Sequence, residues 1–281
     1  MMISHMPWGV NNMNQEERRI FLIEYLLQEA HQQVTIPKDP EDQWHLLRAL
    51  FNIRAPQKAS SSFYKIEGEL LERMTQDKGI VDVNDLPGSY SDPRLSLYQG
   101  DITSLKADTI VNAANSQMLG CFAPNHTCID NCIHTFAGIE LREACYDYMS
   151  SKPEGYEEPT GQAMITSGYH LPAKYVIHTV GPIVRGRLTK THKDLLKSCY
   201  TSCLEAADRY HLESIVFCCI STGVFMFPQD QAAKISIASV QEYLDNHPHT
   251  SIKKVIFNVF KDDDAYLYDT LLNKKITVRG H

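Results

Sequence analysis

From residue 16 to 33 the chain reads EERRIFLIEYLLQEAHQQ, and Ile20, Phe21, Ile23, Leu26 and Leu27 recur at helical spacing with charges on the other side. That pattern predicts an amphipathic helix. Two more helical patterns, over 41–51 and 66–74, are set apart by turns around Pro37, Pro40 and Pro56. The stretch DKGIVDVNDLPGSYSDP, rich in Gly, Asp, Pro and Ser, then interrupts all periodicity and marks a boundary. It divides the chain into a helical N-terminal extension (1–92) and a larger domain (93–275). In the second part, strand-like runs alternate with helical ones. LSLYQ and TIVNAA precede a long helix from about 128 to 149, and AMITSGY and KYVIHTV precede a helix near 192–210. SIVFCCI precedes a helix near 229–246, and KVIFNVF a last helix. Such alternation predicts an α/β fold in which a mixed, largely parallel sheet lies between helix layers. Ligands of such folds collect at the carboxyl ends of the strands.

Composition narrows the function. The 281 residues carry 27 Lys+Arg against 34 Asp+Glu, a formal charge of -7, which argues against a nucleic-acid binder working by bulk charge. Phosphates must be held locally, by backbone N–H groups or a metal. A hydrophobic fraction of 43% and a charged fraction of 22% are those of a globular protein. No run approaches the roughly 18 apolar residues of a membrane span. The opening MMISHMPWGVNNMNQ has neither a basic residue nor an apolar block, unlike a secretory leader, so a cytoplasmic location is expected. In that compartment the eight cysteines are free thiols or metal ligands. Cys145, Cys199, Cys203, Cys218 and Cys219 fall in apolar periodic segments and read as small buried hydrophobes, whereas Cys121 and Cys128 do not.

Candidate chemistry sits at the strand ends. After LSLYQ comes Gly100-Asp101-Ile102; Asp101 can accept from a ligand amino group or cap a helical turn. TIVNAA runs into Asn115, so that Asn112 and Asn115 flank two small residues. Ser221-Thr222-Gly223-Val224-Phe225 lies between a strand and a helix, where consecutive N–H groups can cradle a pyrophosphate; the same segment also suits an ordinary connection. Cys121, His126 and Cys128, spaced C-x4-H-x-C on one loop, can converge on an ion, and two thiolates with an imidazole suit zinc. Three protein ligands leave an open, catalytic position; a fourth from Cys132 or His134 would close it, and a loop without metal is the remaining reading. Asp130 either caps the following helix or faces the same ligand, and His178 in KYVIHTV reads as a core histidine.

Taken together, Gly100-Asp101-Ile102, Asn112-Ala113-Ala114-Asn115, His178-Thr179-Val180-Gly181-Pro182 and Ile220-Ser221-Thr222-Gly223 resemble, in order and spacing, the motifs of the macrodomains, three-layer α/β/α folds that bind ADP-ribose. The loop from Gly120 to Asp130 is similar to that of the zinc-dependent, sirtuin-linked microbial subclass of protein-ADP-ribosylhydrolases, which also carry a helical extension. The resemblance implies that Asp101 and Ile102 bind adenine and that Ser221, Thr222, Gly223, Val224 and Phe225 wrap the pyrophosphate. It also implies that Asn115, Ile129 and Asp130 face the distal ribose, beside zinc on Cys121, His126 and Cys128. Asp130 and Asn115 would be catalytic. The implied reaction is removal of mono-ADP-ribose from acidic side chains of modified proteins. The implied partners are a lipoyl carrier protein and a sirtuin-type transferase. The alternatives are a reader that binds ADP-ribose without cleaving it and a hydrolase of a small ADP-ribose derivative.

Overall fold

The computed structural model describes residues 13–273, so residues 1–12 of the expected extension and 274–275 of the expected second domain lie outside the described residues. Helix α1 (Gln15–Glu29) opens on a capping box: the Asn14 side chain accepts from the Glu17 N–H, and the Glu17 carboxylate accepts from the Asn14 N–H. Asp39 caps α2 (Pro40–Ile53), and Ser60 caps α3 (Ser61–Lys78). The apolar faces read from the sequence are largely buried, including Phe21, Ile23, Leu26, Leu27, Leu47, Leu50, Ile66 and Leu70, while Ile20 is half-buried.

A short strand β1 (Val81–Asp82) pairs in parallel with β3 (Leu105–Lys106). The main sheet has six strands, in the order β2 (Leu95–Gln99), β8 (Lys254–Val259), β7 (Ser214–Phe217), β4 (Thr109–Ala114), β6 (Tyr175–Val180) and β5 (Ala163–Ser167). Every pairing is parallel except β5 with β6, so the sheet is mixed, as the alternating pattern predicts. The inner strands are buried along nearly their whole length, which is why SIVF and VIFNV read as continuous apolar runs rather than alternating ones. The run SIVFCCI is strand only through Phe217; from Cys218 the backbone turns into a loop.

Helices α4 (Ile129–Ala137), α5 (Ile139–Ser150), α6 (Lys190–Arg209), α7 (Gln229–Asn246) and α8 (Asp262–Asn273) flank the sheet. Helices α2 and α3 pack onto α4, so the N-terminal helices form a further layer on the sheet's cover. One apolar cluster runs unbroken from Phe21, Leu47 and Phe63 through Ile133 and Ile139 to Ile177 and Val216.

The single long helix expected from 128 to 149 is instead two. Gly138, with φ 90 and ψ 174, separates α4 from α5. The buried Glu67 of α3 causes the break to be stable: its Oε1 accepts the Ile139 N–H at 3.0 Å, and a Cβ on residue 138 would sit 2.8 Å from Oε2. The carboxylate thus occupies the N-terminus of α5, where helix dipole and free N–H groups both favour an anion. Its second oxygen lies 3.8 Å from His170 Nε2, an ionic contact rather than a hydrogen bond.

Because Glu67 is wholly buried, Glu67→Ala leaves the Ile139 N–H without an acceptor, at a cost of about 2 kcal/mol. A lowered urea midpoint measures it. Glu67→Gln, which keeps an acceptor oxygen, should lose less; equal midpoints for wild type and Glu67→Ala would contradict the capping role.

Candidate active site

The five mutually parallel strands place their carboxyl ends on one edge of the sheet. From that edge emerge Gly100-Asp101 after β2, Asn115 after β4, Gly181 after β6, the 218–227 loop after β7 and Phe260 after β8. The motif residues, which run from position 100 to position 225, therefore share one rim.

Asp101 takes the capping role open to it in the sequence. Its Oδ1 accepts from the Thr103 N–H at 2.9 Å, starting a short 3-10 turn over Ile102–Ser104. Its Oδ2 receives Lys78 Nζ from α3 at 2.8 Å. Burial alone would raise this carboxyl, but Lys78 and Thr103 together hold it below the usual carboxylate range. Ile102 is buried. Phe260, not singled out in the sequence, is 79% exposed beside this corner, where the Gly100 N–H is bound to the carbonyl of Val259.

In the loop after β7, Ser221 has φ 66, and the N–H groups of Gly223, Val224 and Phe225 have no partner among the described residues. The buried Ser221 Oγ is likewise without a hydrogen-bond partner there. Turning the backbone through a left-handed residue points successive amides outward, the geometry of an anion nest. Gly181 permits it: a Cβ at that position would lie 2.0 Å from Ser221 Oγ. The Val184 N–H to Phe225 carbonyl bond, at 2.9 Å, ties the two loops together.

Cys121, His126 and Cys128 bring their donor atoms within 4.8 Å of one another, with Cys121 Sγ 3.8 Å from His126 Nδ1. Neither Cys132 nor His134 joins this group. Cys132 Sγ is 3.6 Å from an Arg48 nitrogen, and His134 Nε2 lies 3.6 Å from Asp130. Burial, followed by the adjacent Cys121 thiol and the Asp130 carboxylate, pushes the Cys128 thiol up to about 12, against the opposing Asn131 N–H. Two sulfurs held this close are poorly suited to carrying charge alone and well suited to sharing a divalent cation, so the donor set fits zinc.

The loop carrying these donors, 119–128, has no strand or helix of its own and is exposed from Phe122 to Thr127. Side chains satisfy its backbone instead. Asn131 Nδ2 donates to the carbonyls of Cys121 (3.3 Å) and Ala123 (3.0 Å). Arg142 Nε donates to the Leu119 carbonyl at 2.8 Å, while its Nη1 reaches the carbonyls of Phe51 and Arg54 at the end of α2. From α2, Arg48 donates to the His126 carbonyl at 2.7 Å, and Asn52 Oδ1 accepts from the Asn125 N–H at 2.9 Å.

Cys128, not Asp130, caps α4: its Sγ accepts from the Asn131 N–H at 3.4 Å. Asp130 lies in the first turn with its carboxylate turned to the interior, where Asn112 Nδ2 donates to it at 2.8 Å. Burial pushes its carboxyl up to about 6, with Asn112 and Arg142 pulling it back. Asn112 also meets His178 Nδ1 at 3.1 Å, and Thr166 Oγ1 meets His178 Nε2 at 3.0 Å. Burial drops His178 to about 3, so it is a neutral core histidine with partners on both nitrogens. Its neighbours His134 and Cys145 make a second Cys/His cluster that is wholly buried behind the rim. Asn115 donates from Nδ2 to the Gly120 carbonyl at 3.2 Å and accepts the Gln117 N–H, which folds the loop back over the end of β4.

A Macro domain family profile matches residues 111–236. A "Protein-ADP-ribose hydrolase" of Treponema medium is 48% identical over 265 residues, covering 93% of this chain and 100% of that protein. The chain belongs to the macrodomain family. A "Protein-ADP-ribose hydrolase" of Staphylococcus aureus (strain MSSA476) is 44% identical over 259 residues, 90% of this chain and 95% of its own. The crystal structure of the Trypanosoma brucei macrodomain in complex with ADP-ribose superposes with a TM-score of 0.61 at 28% identity, covering 84% of this chain and 97% of that one.

This macrodomain therefore brings Asp101, Asn115, the 221–225 loop and the three-donor cluster to one rim, and sets Asp130 just beneath it. Absent from the sequence reading were Phe260, which looked like the end of a strand, and Arg48, Asn52 and Lys78, which lie in the extension. If the donor set holds zinc as two thiolates and one imidazole, adding zinc to metal-free protein at pH 7 releases about two protons and saturates at one ion per chain. Calorimetry in buffers of different ionisation enthalpy reads this. Cys128→Ser should cut the release to about one proton; binding with no proton release would contradict thiolate ligation.

Proposed function

We propose that this macrodomain is a zinc-dependent protein-ADP-ribose hydrolase that removes mono-ADP-ribose from acidic side chains and releases free ADP-ribose. The observation that carries the reading is the three-donor cluster: Cys121, His126 and Cys128 converge at the ligand rim while the Cys132 and His134 donor atoms lie outside it. A closed structural site would take a fourth protein ligand; three leave a coordination position for substrate. A reader of ADP-ribose has no use for such a position. The names borne by the Treponema and Staphylococcus relatives favour hydrolysis over reading.

The ligand would run along the rim. Adenine would meet Asp101 through its amino group, with the exposed ring of Phe260 offering an apolar face and Ile102 the floor. The pyrophosphate would take the free N–H groups of Gly223, Val224 and Phe225, with Ser221 and Thr222 at the turn; neutral donors suit a chain of net charge -7. The distal ribose would then reach Asn115, Ile129 and Asp130. Zinc, when bound, supplies Lewis acidity to an oxygen of the distal ribose or of the scissile ester. The protein's own groups do the positioning. Asn115, pinned by Gly120 and Gln117, presents a fixed amide to the sugar, and Asp130, pinned by Asn112, accepts from a hydroxyl or an attacking water. The thiols serve as ligands, so hydrolysis proceeds by water rather than through a protein nucleophile.

For partners, we infer a lipoyl carrier protein modified by a sirtuin-type transferase, on the resemblance of the loop and extension. The eight cysteines are all free, which favours a reducing, cytoplasmic setting.

The test is release of free ADP-ribose from a protein mono-ADP-ribosylated on Asp or Glu. His126→Ala should lose at least about 100-fold in turnover while keeping ADP-ribose affinity within about threefold, because adenine and pyrophosphate contacts lie elsewhere. Full turnover by zinc-free wild type would overturn the proposal. Binding without release by the zinc-loaded protein would leave a reader.

A further inference from the structure

We propose that Arg48, on helix α2 of the N-terminal layer, is a positioning residue for the metal loop, setting zinc affinity without touching ADP-ribose. The inference rests on the zinc reading above and assigns a task to the helical extension.

One guanidinium nitrogen of Arg48 lies 2.7 Å from the His126 carbonyl, 2.9 Å from Asn131 Oδ1 and 3.6 Å from Cys132 Sγ. The first acceptor belongs to a ligand residue. The second orients an amide whose other end holds the carbonyls of Cys121, again a ligand, and Ala123. One side chain thereby constrains the backbone at both sides of the donor cluster. Four residues further along α2, on the same helix face, Asn52 accepts from the Asn125 N–H. Asn125 has φ 54, a left-handed conformation that asparagine tolerates and that the bond to Asn52 helps fix. Asn52 is itself fixed, since its Nδ2 donates to Thr135 of α4 at 3.1 Å.

Beyond these bonds the segment has the Phe122 ring on the Arg142 guanidinium at 4.2 Å and a His126 N–H to Ala123 carbonyl turn. Residues 122–127 are exposed and contribute nothing to the apolar core, so the convergence of three donors depends on directional bonds to their carbonyls. Arginine suits the task because the rigid guanidinium plane fixes the direction of that one nitrogen's two N–H groups, toward the His126 carbonyl and Asn131 Oδ1; a lysine ammonium is a shorter, unoriented point charge. Partners of this kind, one step removed from the metal, hold ligand groups in the geometry the ion needs.

The experiment measures zinc affinity by competition with a chromophoric chelator and ADP-ribose affinity by calorimetry. It compares the full-length wild type with Arg48→Ala, Arg48→Lys and Arg18→Ala. Arg18 pairs with Glu69 at 2.9 Å inside the N-terminal layer, so its variant reports a general loosening of that layer. Arg48→Ala should bind zinc roughly 10- to 100-fold more weakly, with ADP-ribose affinity held within about twofold. Arg48→Lys should recover part of the loss, and Arg18→Ala should match wild type. If wild type binds zinc tightly and Arg48→Ala binds it equally tightly, the positioning role is overturned while the zinc reading stands. If Arg48→Ala and Arg18→Ala lose zinc and ADP-ribose affinity alike, Arg48 is merely part of the fold and the proposal falls. If wild type takes up no zinc, both readings fail together.

Discussion

The structure depends on how an irregular, exposed loop is kept in one shape. Past Met118 and Leu119, which pack in a small apolar cluster, the donor-bearing segment before α4 has no ladder and no core, yet the carbonyls of Leu119, Cys121, Ala123 and His126 each accept from a side chain of Arg142, Asn131 or Arg48. Ordering a loop backbone costs on the order of 1–2 kcal/mol per residue. Directional bonds from three helices offset that cost ahead of any ion. The consequence is a cluster of two thiols and an imidazole whose loop backbone is held by bonds from neighbouring helices.

The same helices that brace the loop also explain the extension. Without α1 to α3, Arg142 would lose the Phe51 and Arg54 carbonyls, Glu67 would no longer cap α5, and Asp101 would lose Lys78. The N-terminal layer therefore touches the rim at both ends: α3 at the Asp101 corner through Lys78, and α2 at the 119–128 loop through Arg48 and Asn52. Between those ends, on the proposed reading, an acidic protein would handle a pyrophosphate with neutral backbone, through the left-handed Ser221 and the space that Gly181 leaves beside it.

Much of this was legible in the primary structure. Apolar runs such as SIVF and KVIFNV announce buried parallel strands, and α7 occupies the 229–246 span its periodicity indicates. The strand-end motifs fall on one rim because parallel strands align their carboxyl ends, a property of the topology class rather than of any residue. The failures have physical causes. The apolar periodicity of α4 continues in phase into α5, so only Gly138 signals the break, and a lone glycine inside a helical pattern is ambiguous until Glu67, distant in sequence, is seen to fill the gap. Cys128 as a helix cap escapes detection because sulfur is a weak acceptor and an unusual choice there. Arg48 reaches residues 78 to 84 positions away, and no local pattern encodes such a contact.

The most direct measurement is a crystal structure of the protein with ADP-ribose, with diffraction data collected on either side of the zinc absorption edge. The account predicts one anomalous peak bonded to Cys121 Sγ, a His126 ring nitrogen and Cys128 Sγ, with the distal ribose of the ligand against its remaining side. A peak closed off by a fourth protein side chain, or no peak within reach of the ribose, would contradict it.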